Sequence, residues 1–244
     1  MRSVHAIVTD VGNVRERNED HAGGDPERGV FLLADGMGGH PAGHLASRVA
    51  IDTALAFLTE KRVPGRARGR AEKLGQAILA ANHAIFALGE QHEEVAGMGT
   101  TLVGMWLGKK QAHFAHVGDS RAYIYRDGEV EPITRDHTVL RELIDRGELT
   151  ADAPEAAQIG HILTQAVGLE AEVTPDISSL PVKRDDVFLL CSDGLSDLLK
   201  PPRIAEILNG AAQGDLDGRA AALIEAALAA GGHDNITVVL ARQA

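Results

Sequence analysis

The chain has 244 residues, 44% of them hydrophobic, and 35 Asp and Glu against 24 Lys and Arg leave a formal net charge of −11. That apolar content excludes a disordered chain, and the acidic balance argues against a nucleic-acid binder, which carries a basic face. The one cysteine excludes an internal disulfide and fits a reducing, cytoplasmic setting. Charge enters before any apolar run of about 7–15 residues that would mark a signal peptide. No uncharged stretch reaches the ~18 residues of a membrane span.

In chain order, apolar strands are expected over 4–9 and 30–34, then helices over 42–61 and 70–91, where apolar residues recur at spacings of three and four. The string KRVPGRARGR over 61–70 reads as a solvated connector. Strands follow over 101–107, 112–117 and 122–125, and 123–133 reads as a hairpin turning at Asp127-Gly128. The polar stretch 134–168 breaks the strand pattern and reads as a flap or small insertion, with a helix over 139–146. A strand over 187–191, helices over 203–208 and 216–230 and a last strand over 236–240 complete the chain. Strands clustered with short links do not form a regular βαβ series, so an α+β fold with antiparallel sheets is expected. No repeat or linker divides the chain, and a single domain over 1–244 is expected.

Several chemistries fail on spacing. A P-loop ending at Gly108-Lys109 lacks glycine at Val103 and a hydroxyl at Lys110. Gly97-Met-Gly99 lacks the third glycine of a dinucleotide fingerprint, Leu102 standing there. His92-Glu93 has Ala96 where a zincin places its second histidine. Cys191 has Asp197 where a cysteine phosphatase places arginine, so it reads as core.

Four aspartates share a different setting. Asp35 follows the apolar run 30–34, Asp119 follows 112–117, Asp193 follows 187–191, and Asp234 immediately precedes the last strand. Asp-Gly and Gly-Asp are ordinary turn pairs, and Asp127-Gly128 reads as such a turn. The other four adjoin runs that are almost wholly apolar, so their strands are expected to be buried on both faces and their ends to meet at one rim. Two like charges ~4 Å apart repel by about 4 kcal/mol at an effective dielectric of ~20, so such a cluster calls for cations. Oxygen ligands without paired His or Cys select Mg²⁺ or Mn²⁺ over zinc. The pattern reads as a two-metal hydrolytic site. Arg15 suits an anionic substrate, the alternative being a surface arginine paired with Glu19 or Asp20.

The strings that carry these residues are Asp10-Val-Gly-Asn-Val-Arg-Glu-Arg-Asn-Glu-Asp20, Ala34-Asp-Gly-Met-Gly-Gly-His40, Gly97-Met-Gly-Thr-Thr101, Val117-Gly-Asp-Ser-Arg121, Leu190-Cys-Ser-Asp-Gly-Leu195 and Gly231-Gly-His-Asp-Asn-Ile-Thr-Val238. In this order, across nearly the whole chain, they resemble the bacterial branch of the metal-dependent Ser/Thr protein phosphatases, the PP2C or PPM family. The resemblance implies a β-sandwich of two antiparallel sheets flanked by helix pairs, with the flap beside the site. It implies that Asp35 bridges two Mn²⁺ or Mg²⁺ ions, with the Gly36 carbonyl on one and Asp193 and Asp234 on the other. A third ion would lie on Asp119 and Asp193. Asp20 and Glu19 match acidic residues that orient water, Asn235 matches a neighbour of the last ligand, and Arg15 matches the arginine that grips phosphate. Animal members carry histidine after the Asp-Gly pair, where Met37 stands here. His40, three residues on, reads as structural.

The expected reaction is hydrolysis of phosphoserine and phosphothreonine by a metal-activated water, without a covalent intermediate. The expected partners are phosphoproteins, a Ser/Thr protein kinase and its substrates among them, and a monomer is expected. Two other classes remain open at this stage. A pseudophosphatase would lack metal aspartates, and none is missing. A metal-dependent nuclease would need basic tracks, for which only KRVPGRARGR qualifies.

Overall fold

The computed structural model describes residues 3–37, 42–60, 69–210 and 215–244. Residues 61–68 of the connector over 61–70, and His40, lie outside the described residues, and Arg70 begins a helix. In chain order the elements are β1 (Ser3–Asp10), β2 (Asp20–Asp25), β3 (Val30–Met37), α1 (Ala42–Thr59), α2 (Arg70–Gln91), β4 (Gly99–Thr100), β5 (Leu102–Leu107) and β6 (Gln111–Val117). There follow β7 (Arg121–Arg126), β8 (Glu129–Pro132), α3 (Val139–Asp145), α4 (Ala156–Ile159), β9 (Asp176–Pro181), β10 (Val187–Cys191), α5 (Asp193–Ser196), α6 (Pro201–Gly210), α7 (Leu216–Ala229) and β11 (Ile236–Gln243).

One sheet runs β1-β11-β10-β7-β8; the other runs β2-β3-β5-β6-β9, with β4 paired to β3. Adjacent strands are antiparallel throughout, as the clustered strand pattern requires. Alternation along β3 explains the layering. Phe31 and Leu33 point between the sheets with Val103, Phe114, Phe188 and Leu190. Leu32 and Ala34 point outward beneath Ile51 of α1 and Ile78 of α2. On the opposite side, Leu189 of β10 and Leu240 of β11 pack under Leu223 of α7 and Leu208 of α6. The central strands are thus covered on both faces, and each large side chain so buried contributes about 1.5–3 kcal/mol. Phe114 and Phe188 join the sheets through a tilted ring contact at 5.7 Å.

Three strands were not expected: the two-residue β4, paired to β3, and β2 and β9, which each lie at the edge of a sheet. β2 reads as loop because its string is DHAGGD, yet it pairs along the length of β3. A Cβ on Gly23 would lie 3.1 Å from Ile51 and 3.2 Å from Leu55, so glycine is what lets α1 approach this edge. β9 (DISSLP) pairs with β6 and stays largely exposed. Asp127 and Gly128 close the β7–β8 hairpin with φ of 54° and 88°. Positive φ at both positions is the type I′ pattern, and the turn falls where the sequence places it.

Candidate metal centre

Strand register brings the expected aspartates to one end of the sandwich. Asp20 and Asp35 are directly opposed partners in the β2–β3 ladder, a placement that costs energy for like charges. Asp119 sits in the turn from β6 to β7, where the chain crosses between sheets. Gly118 at φ 102° makes that turn, and a Cβ there would also strike Thr101 at 2.7 Å. Asp193 follows β10 and Asp234 precedes β11.

Titration reflects the crowding. Burial, then Asp20, Asp193, Asp119 and Asp234 in turn, push Asp35 well above the ordinary carboxylate range. Burial, followed by Asp119, Asp197 and Asp234, pushes Asp193 up to about 8. Asp119 is pushed up to about 7, mainly by burial and next by Asp136. Asp20 reaches about 6, mainly through burial. Asp20 Oδ1 and Asp193 Oδ1 are buried without a hydrogen-bond partner. Oxygen donors alone, mutual repulsion and two orphaned buried oxygens together fit a hard divalent cation.

The supports are mostly hydroxyls and backbone. The Asp35 amide donates to Thr101 Oγ1 at 2.9 Å, while Thr101 N at 2.9 Å and Thr100 Oγ1 at 2.8 Å donate to its carbonyl. Thr101 Oγ1 lies 2.7 Å from Ser120 Oγ, which ties the Asp35 strand to the neighbour of Asp119. Ser192 Oγ donates to Asp20 Oδ2 at 2.8 Å and accepts from Thr237 N at 3.0 Å. The motif strings contain these hydroxyls, but nothing in the sequence assigned them a role. Their partners are distant in sequence, and a lone Ser or Thr has no spacing signature.

Asn235 pins the loop that carries Arg15 and Glu19. Its Nδ2 donates to Val11 O at 2.9 Å and Arg17 O at 3.0 Å, and its Oδ1 accepts from Glu19 N at 2.8 Å. Its own amide donates to Asp234 Oδ1 at 2.8 Å. Gly36 is fixed by close approach, since a Cβ there would meet Gly43 O at 2.1 Å and Glu19 O at 2.7 Å. Arg15 Nη2 donates to Asp234 Oδ2 at 2.7 Å, with its side chain 55% exposed. Its partner is therefore Asp234, neither Glu19 nor Asp20. The hydrogen bond to Asp234 is the leading cause that holds the guanidinium charged, and the fields of Glu19 and Asp193 add to it. Burial pushes the Cys191 thiol up to about 12, so it stays protonated in the core.

A second group was not anticipated. Donor atoms of His116, His137 and Asp176 lie within 4.8 Å of one another. His137 Nδ1 accepts from Gly118 N at 3.3 Å, which leaves the proton on Nε2 facing Asp176 Oδ2 at 3.5 Å. His116 Nε2 donates to the Arg135 carbonyl at 2.7 Å, and the two rings stack at 4.7 Å. The two rings are thus held by backbone hydrogen bonds outside the trio, with Asp176 beside His137 at ion-pair distance.

A two-sheet sandwich with an aspartate rim between its strand ends defines a metal-dependent phosphatase class. The protein phosphatase 2C family matches residues 14–228, and the chain belongs to that family. It is 38% identical to the serine/threonine protein phosphatase PstP of Mycobacterium tuberculosis over 239 residues, which covers 97% of this chain and 44% of that protein. The chain thus spans less than half the length of PstP. It is 36% identical over 240 residues to the protein phosphatase PhpP of Streptococcus pneumoniae, covering 96% of this chain and 95% of PhpP. The crystal structure of the PstP catalytic domain with 2 manganese ions matches with a TM-score of 0.83 and 39% identity, over 98% of this chain and 97% of that one. Among the described residues, no helix is long and apolar enough to cross a membrane.

Proposed function

We propose that the chain forms one catalytic domain that hydrolyses phosphoserine and phosphothreonine in proteins. The observation that carries this reading is the convergence of Asp20, Asp35, Asp119, Asp193 and Asp234, an all-oxygen set, beside the exposed Arg15. Asp35, Asp193, Asp234 and the Gly36 carbonyl would hold two Mn²⁺ or Mg²⁺ ions, and Asp119 with Asp193 a third. Dications bound there supply charge neutralisation, water ionised at neutral pH and a clamp on the phosphoryl oxygens.

The remaining work falls to the chain. Arg15 exchanges its contact with Asp234 for two phosphate oxygens, a bidentate grip that orients phosphorus for in-line attack. Asn235 keeps the Arg15 loop in register with Asp234. Asp20 is held at Oδ2 by the Ser192 hydroxyl, which leaves Oδ1 free to accept a hydrogen bond from the attacking water, with Glu19 beside it. The same reading makes the chain a cytoplasmic monomer that acts on a Ser/Thr protein kinase and its targets. The buried free thiol of Cys191 supports the compartment.

The test is phosphate release from a phosphothreonine peptide. Mn²⁺ should support turnover, EDTA should abolish it, and added Mn²⁺ should restore it. Turnover that persists after thorough chelation contradicts the reading.

A further inference from the structure

The stretch 134–168 is placed differently from the rest of the chain. None of the side chains of its principal helix, α3, is fully buried, so apolar packing fixes it less firmly than the core strands. What holds its root is a set of polar contacts between 135–137 and 116–121. The His137 amide donates to Gly118 O at 3.0 Å, and the Gly118 amide returns a bond to His137 Nδ1. His116 Nε2 donates to Arg135 O. The strongest contact is an ion pair. Arg121 Nε donates to Asp136 Oδ1 at 2.8 Å and Oδ2 at 3.1 Å, while Nη2 donates to Oδ2 at 2.6 Å. Arg121 Nη1 is anchored in turn on the Tyr123 hydroxyl at 3.3 Å.

This pair lies two residues from Asp119 and joins the turn of that aspartate to the flap root. Its side chains are 26% and 17% exposed. At that burial, desolvation offsets much of the attraction, so the pair is a weak source of stability. What a planar guanidinium fork gives is fixed geometry. A groove of about 240 Å³ opens directly beside it, lined by Asp136 and His137 from the root, Arg141 and Asp145 from α3, and Thr164 and Asp176. Any rotation of 135–137 therefore changes the space between flap and sheet.

We propose that Arg121 and Asp136 are a positioning pair that holds the flap root against the Asp119 turn and so sets how the flap receives a protein chain. Neither residue touches the reacting phosphate. The inference rests on the phosphatase reading above. It separates two kinds of substrate: a small aryl phosphate needs only the rim and Arg15, whereas a phosphopeptide extends to the flap.

The experiment is steady-state kinetics at saturating Mn²⁺ on a phosphothreonine peptide and on p-nitrophenyl phosphate. It compares the unaltered chain with Arg121→Lys, Asp136→Asn and the double variant. Arg121→Lys keeps the charge and removes the fork; Asp136→Asn keeps the shape, so loss of one variant to misfolding leaves the other. Each single variant should raise the peptide KM about tenfold with kcat within about threefold. The aryl phosphate constants should stay within about twofold, and the double variant should be no worse than either single. Amide hydrogen exchange should quicken over 137–166 and stay unchanged in β3 and β10. Proportional losses on both substrates, or an unaltered peptide KM, overturn the positioning role. An unaltered chain inert toward both substrates overturns the phosphatase reading instead.

Discussion

The rim and the flap lie side by side and are built on opposite principles. Asp119, Asp193 and Asp234 adjoin the ends of well-buried strands, such as β10, which is buried along its length, and Asp35 lies within β3 beside the edge strand that carries Asp20. Thr101, Ser192 and Asn235 tie down the backbone around them. The flap has α3 with no fully buried side chain, started by a cap in which Thr138 Oγ1 accepts from Arg141 N at 3.2 Å. The aspartates, which need close placement, are mounted on the core, whereas the flap rests largely on polar contacts that open at small cost. The rim carries the strain of that arrangement, because its buried carboxylates repel one another.

That contrast can be broken at the rim first. Asp193→Ala should lower kcat/KM on a phosphothreonine peptide about a thousandfold, the equivalent of ~4 kcal/mol of lost charge stabilisation. A loss below about tenfold would remove the rim from the chemistry. A medium effect comes from protons. Without metal, Asp119 is pushed up to about 7 and Asp193 to about 8, so both are protonated at pH 6. A dication binds the ionised carboxylates and must displace those protons, so its affinity rises with pH. Calorimetry should find Mn²⁺ binding roughly tenfold tighter per pH unit for each proton released between pH 6 and 7. An affinity that is flat over that range contradicts the shared rim. The smallest effect is expected at the far end of the sandwich, where Asp127 holds φ 54° in the β7–β8 turn. Asp127→Ala should leave kcat/KM within about twofold and cost about 1 kcal/mol in thermal melting, the strain of a left-handed residue. A large loss of activity there would erase the distinction between rim and turn aspartates.

The proximity of the aspartates was legible in the sequence because each of Asp35, Asp119 and Asp193 follows a run of apolar residues that marks a buried strand, although β3 runs two residues past Asp35. The hairpin at Asp127-Gly128 was legible for the complementary reason, its strands having polar neighbours. β2 and β9 were not, since edge strands need no apolar face of their own: Gly23 serves the approach of α1, and the Ser178 and Ser179 pair lies on an exposed strand. Also hidden were the contacts that span the chain. Thr101 with Ser120, Ser192 with Thr237 and Arg121 with Asp136 depend on register and turn geometry, which no local pattern encodes. The contact of Arg15 with Asp234 was hidden for the same reason: Glu19 and Asp20 are near in sequence, and Asp234 is near in space.

The central claim is that the aspartate rim is a dication site, and among the described residues there is one competing group of potential ligands. Anomalous diffraction from crystals soaked in Mn²⁺ separates the two. The account predicts peaks bridged by Asp35 and bounded by Asp193 and Asp234, and none at His116, His137 and Asp176. Peaks on the histidine group with a bare rim would contradict it.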